Sequence, residues 1–256
     1  MKFKVSLSPW KVTRVLLFVV FSLVTLSYVT QLSRFLLPSY PLKYYIQSLF
    51  HVDSEYNIPT VYSALALLFS GILLWLISSA RKQDNSRYAK HWRFLSGVFF
   101  FLSFDELFQF HEQLISPFRK FLGASGFLYF TWVVPAAFLL VILGLSYVKF
   151  LGHLPAKTRT LFLLGAGLYI GGAIGAELIG GNMAFEEGME TLGYQTVATF
   201  EELFEMLGIV TFIHSLLSYI SDYLNEVIVQ VRVGKELAGF PQKQREELVS
   251  QSSYYE

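Results

Sequence analysis

The sequence predicts an all-α, polytopic membrane protein with six transmembrane helices and both termini in the cytoplasm. Three observations predict it. Charged residues make up 15% of the 256 residues and hydrophobic ones 54%, with a mean hydropathy of +0.47, whereas a soluble domain carries about a quarter of its residues as charges. Six windows are apolar over the roughly 20 residues that a spanning helix needs. Lysine and arginine are concentrated in alternate loops, as the positive-inside rule requires of a multi-pass chain.

The spans fall at residues 15–37, 59–79, 94–114, 128–150, 160–181 and 197–220. The first follows a short basic segment in the manner of a signal peptide. Its apolar run continues to Leu37 with no small-residue cleavage pattern after it, so it is read as a retained signal-anchor. The third and sixth contain acids, yet their flanks are rich in Phe and Leu, and dropping either would break the charge alternation. Pro38, Pro41, Pro59, Pro117 and Pro155 are expected at or between span ends, and Pro135 inside the fourth is expected to kink it. Residues 1–222 form the transmembrane domain, and 223–256 form a cytoplasmic tail, a helix extension followed by disorder.

Orientation follows from Lys2, Lys4, Lys11 and Arg14 before the first span and Arg81, Lys82, Arg87, Lys90 and Arg93 after the second. Lys149, Lys157 and Arg159 follow the fourth, and the tail carries four more basic residues. The opposite loops hold Lys43, then Arg119 and Lys120, and finally only the acids Glu186, Glu187 and Glu190. The net charge of +1 without a basic groove excludes a nucleic-acid partner. The absence of cysteine excludes disulfides, thiolate metal sites and thiol nucleophiles. No Gly-x-Ser-x-Gly, Ser-x-x-Lys or glycine-rich phosphate loop is present.

Seven carboxylates inside these apolar segments carry the functional signal. They are Asp105, Glu106 and Glu112 in the third span, Glu177 in the fifth, and Glu201, Glu202 and Glu205 in the sixth. A charge at membrane depth costs at least a few kcal/mol and marks a functional site by default. The topology places all seven in the outer half of the bundle, and Arg34 at the outer end of the first span either snorkels to the headgroups or acts as their counter-ion. Asp105, Gln109 and Glu112 share a helical stripe with Glu106 on its flank, and Glu201 and Glu205 stand one turn apart with Glu202 beside them. His111 falls about 120° off the Asp105 stripe and joins it only if the helix ends or distorts there. Two glycine-rich rows in the fifth span, Gly167–Gly171–Gly175 and Gly172–Ala176–Gly180, permit close helix approach. Two like charges about 4 Å apart repel by about 4 kcal/mol at an effective dielectric of 20, so protons or cations must accompany the cluster.

The expected ligands of a divalent metal ion are Asp105, His111, Glu112, Glu177, Glu201 and Glu205, with Glu106, Gln109, Glu202, Arg34 and the loop residue His51 around them. Oxygen-rich sites with one imidazole suit Fe, Mn, Mg, Ca or Zn. The paired Glu-x-x-His signature of di-iron bundles is absent from the spans. So is the downstream Arg that accompanies Glu-Glu in glutamate-dependent intramembrane proteases. The resulting reading is an integral protein of a plasma, inner or thylakoid-type membrane, with a metal-dependent enzyme site for a lipid or other apolar substrate. A cation- or proton-coupled transporter using the acids as a relay is the alternative, and a non-catalytic membrane assembly factor a further one.

Overall fold

The computed structural model describes residues 8–38, 41–54 and 56–224. The expected helix extension and disorder of the tail lie outside these residues. The described chain is all-helical, with no strand among the described residues. Five of its helices are long and apolar enough to cross a bilayer. They are α1 (Pro9–Leu36), α3 (Ile58–Gln83), α6 (Val133–His153), the continuous stretch Ala156–Glu186, and α9 (Leu192–Tyr223). Between α1 and α3 lies a short helix, α2 (Lys43–Phe50), which the hydropathy pattern does not reveal.

The expected third span is not one helix. It is α4 (Ala89–Phe108), a break at Gln109, and then α5 (Phe110–Leu122), which has no fully buried residue. Two proline expectations also change. Pro135 sits in the first turn of α6, where the missing N–H has no helical partner to lose, so it does not kink the helix. Pro117 lies inside α5 rather than between elements.

Lipid tails are as apolar as the side chains, so close packing and interhelical hydrogen bonds hold such a bundle together. The helix α9 is its axis: 67% of its most apolar window is buried, against 17% for the peripheral α6. Helices α3 and α4 are joined by Ser96 and Ser103, whose hydroxyls donate to the carbonyls of Gly71 and Ala64, each at 2.8 Å. At the end of the bundle carrying the basic loops, Trp92, Phe150, Phe162, Phe212 and Tyr219 form an aromatic core in which Trp92 meets Phe150 and Phe162 edge-to-face. There α1 is tied to α9 by Thr13 Oγ1 and His214 Nδ1, 2.8 Å apart.

The stretch Ala156–Glu186 comprises α7 (Ala156–Ile170), a π-helical turn at Gly171–Ala176, and α8 (Glu177–Glu186). Its contact with α9 is backbone against backbone. A Cβ on Gly172 would lie 2.6 Å from the Glu201 carbonyl, and one on Gly208 would lie 2.7 Å from the Tyr169 nitrogen. Of the two glycine rows, only Gly172–Ala176–Gly180 is buried, whereas Gly167, Gly171 and Gly175 face open space.

Candidate functional site

The break in the third span builds the first half of the site. Gln109 adopts the left-handed conformation (φ 55°, ψ 43°), at a cost of about 1–2 kcal/mol for a residue with a Cβ. The turn drops His111 back onto Asp105. The His111 N–H donates to Asp105 Oδ1 at 3.0 Å, and His111 Nδ1 lies 2.8 Å from Asp105 Oδ2. Asp105 thereby satisfies one of the orphan amides at the start of α5. A strained hinge is the sort of feature that accumulates at functional sites. Gln109 is that hinge rather than a member of the acid stripe, and its buried Nε2 has no hydrogen-bond partner.

The second half comes from the π-helical turn. The close approach at Gly172 presses the start of α8 against α9, where Glu205 and Glu201 lie. Trp132, just before α6, donates its indole N–H to Glu177 Oε1 at 2.6 Å, and Glu177 is hydrogen-bonded in turn to Glu201. The Trp132 ring also packs 4.8 Å from the His111 ring. A continuous chain of contacts therefore runs Asp105–His111–Trp132–Glu177–Glu201 through five segments of the bundle. Glu205 lies within electrostatic reach of Glu106, Glu177 and Asp105. Tyr169 on α7 lies within reach of Glu205, Glu106, Asp105 and Glu202.

Asp105, Glu106, His111, Glu177, Glu201, Glu202 and Glu205 thus gather in one region. Glu112 is exposed in the first turn of α5, still within electrostatic reach of His111 and Glu177. Arg34 pairs with Glu190 of the acidic loop rather than with an acid of the cluster. His51 bonds Gln195 Oε1 through Nε2 at 2.6 Å and Ser54 Oγ through Nδ1 at 2.8 Å. Burial lowers its pKa below the ordinary 6.5 and Arg34 adds to this, while the Gln195 hydrogen bond and Glu190 oppose it.

Sequence reasoning missed Trp132 and Tyr169, because an aromatic residue near a span end, as Trp132 is, reads as membrane belt, and one in mid-span, as Tyr169 is, reads as packing surface. It also missed Asp53, which is hydrogen-bonded to Tyr194 and within electrostatic reach of Glu201. Chemically, a hydrogen bond between two carboxyl groups requires a proton on one of them. An imidazole held by a carboxylate at one nitrogen is oriented to present the other. Among the described residues, no group of three or more His, Asp and Glu side chains is arranged to hold a metal ion.

No curated protein and no solved structure matches the chain. A family model, described as a domain of unknown function (DUF8692), matches residues 12–220 and so takes in every helix of the acid cluster. The chain belongs to this DUF8692 family.

Proposed function

We propose that the protein is a six-span integral membrane protein with both termini cytoplasmic, and that its carboxylate cluster takes up a divalent cation to act on a lipid or other apolar substrate. Counting α4 as the sixth span is supported by its length: 20 residues at 1.5 Å per residue reach 30 Å, the thickness of the hydrocarbon core. The loop charges support the orientation.

The observation that carries the cation reading is the Asp105–His111 pair. Ligand imidazoles almost always give their second ring N–H to a carboxylate, a backbone carbonyl or water, and here a carboxylate takes that place across the left-handed hinge at Gln109. Glu177, Glu201 and Glu205 supply the oxygen donors around it. A bound ion would polarise a substrate oxygen or activate water. It would also draw these side chains closer together than they stand here, since none of them forms a ready three-ligand group. The test is metal content after purification without chelator. About one equivalent of a divalent metal is expected, and metal-free, folded protein refutes the reading.

A second reading, a proton or cation relay, is favoured by the Glu177–Glu201 hydrogen bond, in which two carboxyls share a proton. Ion flux into proteoliposomes by metal-free protein would support it.

A further inference from the structure

A cavity of about 330 Å³ opens at the end of the bundle where α1 finishes and α9 begins. Its walls are Arg34 and Phe35 of α1, Gln47 of α2, Asp53 of the following loop, and Glu190 and Gln195 near the start of α9. The volume is at the lower end for small-ligand pockets, about 300–1,000 Å³, which suits a polar headgroup without its acyl chains.

Three features describe the ligand. First, the floor is a fixed polar surface. Gln47 and Gln195 are buried, and their amides donate to the carbonyls of Thr30 and Met189 at 3.0 and 2.9 Å. Second, the ionic groups are one guanidinium and two carboxylates. Arg34 and Glu190 pair at the mouth with side chains 42% and 73% exposed, and Asp53 is hydrogen-bonded to Tyr194. Third, the segments that line the cavity carry exposed apolar and aromatic side chains: Phe35 in the wall itself, its chain neighbours Leu36 and Leu37, and Tyr44 and Tyr45 on α2, the helix of Gln47. Tyr and apolar residues at a helix end mark the headgroup level of a bilayer.

We propose that this cavity binds the headgroup of an aminophospholipid, with Arg34 taking the phosphodiester and Glu190 and Asp53 the primary ammonium. The guanidinium fork suits a phosphate. Entry of the ligand exchanges the single Arg34–Glu190 pair for two ion pairs, and the acyl chains pass Phe35 and Leu36 into the bilayer. Tyr194, which touches Asp53, also lies within electrostatic reach of Glu177 and Glu201, so a bound headgroup stands one side chain away from the acid cluster. The inference deepens the lipid-substrate reading above and rests on it, but not on the bound metal.

The test is binding of short-chain lipids to the full chain in detergent, with dihexanoyl phosphatidylethanolamine as probe. Dihexanoyl phosphatidylglycerol lacks the amine and free phosphoethanolamine lacks the chains. The first should bind about tenfold more weakly, the worth of one charge-assisted contact, and the second about tenfold or more, through the lost apolar contacts of the chains. Arg34→Gln should weaken both lipids about tenfold, while Glu190→Gln should reduce only the preference for the amine, since Asp53 remains. Glu190 is largely exposed, so that variant keeps its fold, which an unchanged ligand-free melting midpoint verifies. Equal binding of the two lipids, or an amine preference that Glu190→Gln leaves undiminished, overturns the proposal. Free phosphoethanolamine binding as tightly as the lipid overturns the lipid as occupant. Metal content, measured on the same samples, reports on the cation reading separately.

Discussion

Asp105 holds His111 twice across a left-handed hinge, by the backbone N–H at 3.0 Å and by the ring at 2.8 Å. The two residues are six apart in sequence, and an unbroken helix would point them about 120° apart. The hinge therefore exists to make this pair, or the pair to hold the hinge.

This coupling predicts opposite effects at neighbouring positions. Asp105→Ala leaves an amide and an imidazole without their acceptor and should cost about 1–3 kcal/mol. Gln109→Gly removes the Cβ from the left-handed position and should stabilise by about 1 kcal/mol. Reversible unfolding in mixed detergent measures both. A destabilised Gln109→Gly would mean that the helix continues through residue 109.

The π-helical turn predicts a second contrast. Gly172→Ala puts a methyl 2.6 Å from the Glu201 carbonyl and 2.9 Å from Glu205 Cγ, and forced overpacking costs about 1–3 kcal/mol. Gly171→Ala and Gly175→Ala meet nothing within 4 Å and should be neutral or stabilising by up to about 1 kcal/mol. The same unfolding assay separates the rows, and equal effects in both would contradict the packing of this turn on α9.

How much of this was legible in the sequence depends on which physics each feature obeys. The five long helices follow from composition alone, and the expected boundaries differ from those found by a few residues, as at 197–220 against Leu192–Tyr223. The places of Asp105, Glu177 and Glu205 along their spans were read from the same pattern, and the structure has Asp105 and Glu177 within electrostatic reach of Glu205. Side-chain partnership was not. Arg34 was a candidate counter-ion by its place in the first span, yet Glu190 of the acidic loop takes it, and no pattern along the chain ranks one carboxylate over another. The hinge was foreseeable only as a condition for His111 to join, because Gln109 carries none of the glycine or asparagine signature of a left-handed residue. Periodicity marked two glycine rows without distinguishing the packed one, since both have the same spacing.

His51 predicts a pH dependence. Its folded-state pKa lies below the ordinary 6.5, chiefly through burial, so the unfolded chain takes up the proton first. Its contribution to stability is complete above 6.5 and is lost as pH falls through the lowered folded value. Melting midpoints of wild type should therefore drop more between about pH 7 and pH 5 than those of His51→Gln. Parallel curves would remove His51 from the account.

The orientation is tested in this cysteine-free chain by single cysteines at Ser86 and Gly188. An impermeant maleimide should label them from opposite faces of sealed vesicles. Labelling from one face would contradict the six-span topology.

The central claim is that a divalent cation, rather than protons alone, accompanies the acid cluster. Thermal melting in detergent, with and without chelator, tests it most directly, using wild type, Asp105→Asn and Glu205→Gln. A cation that binds only the folded state stabilises it by mass action, by about 2.7 kcal/mol at a hundredfold excess over Kd. The account predicts that chelator lowers the wild-type midpoint and that both variants lose this response. An unchanged wild-type midpoint, with variants that mimic the protonated acids melting at or above it, would contradict the claim.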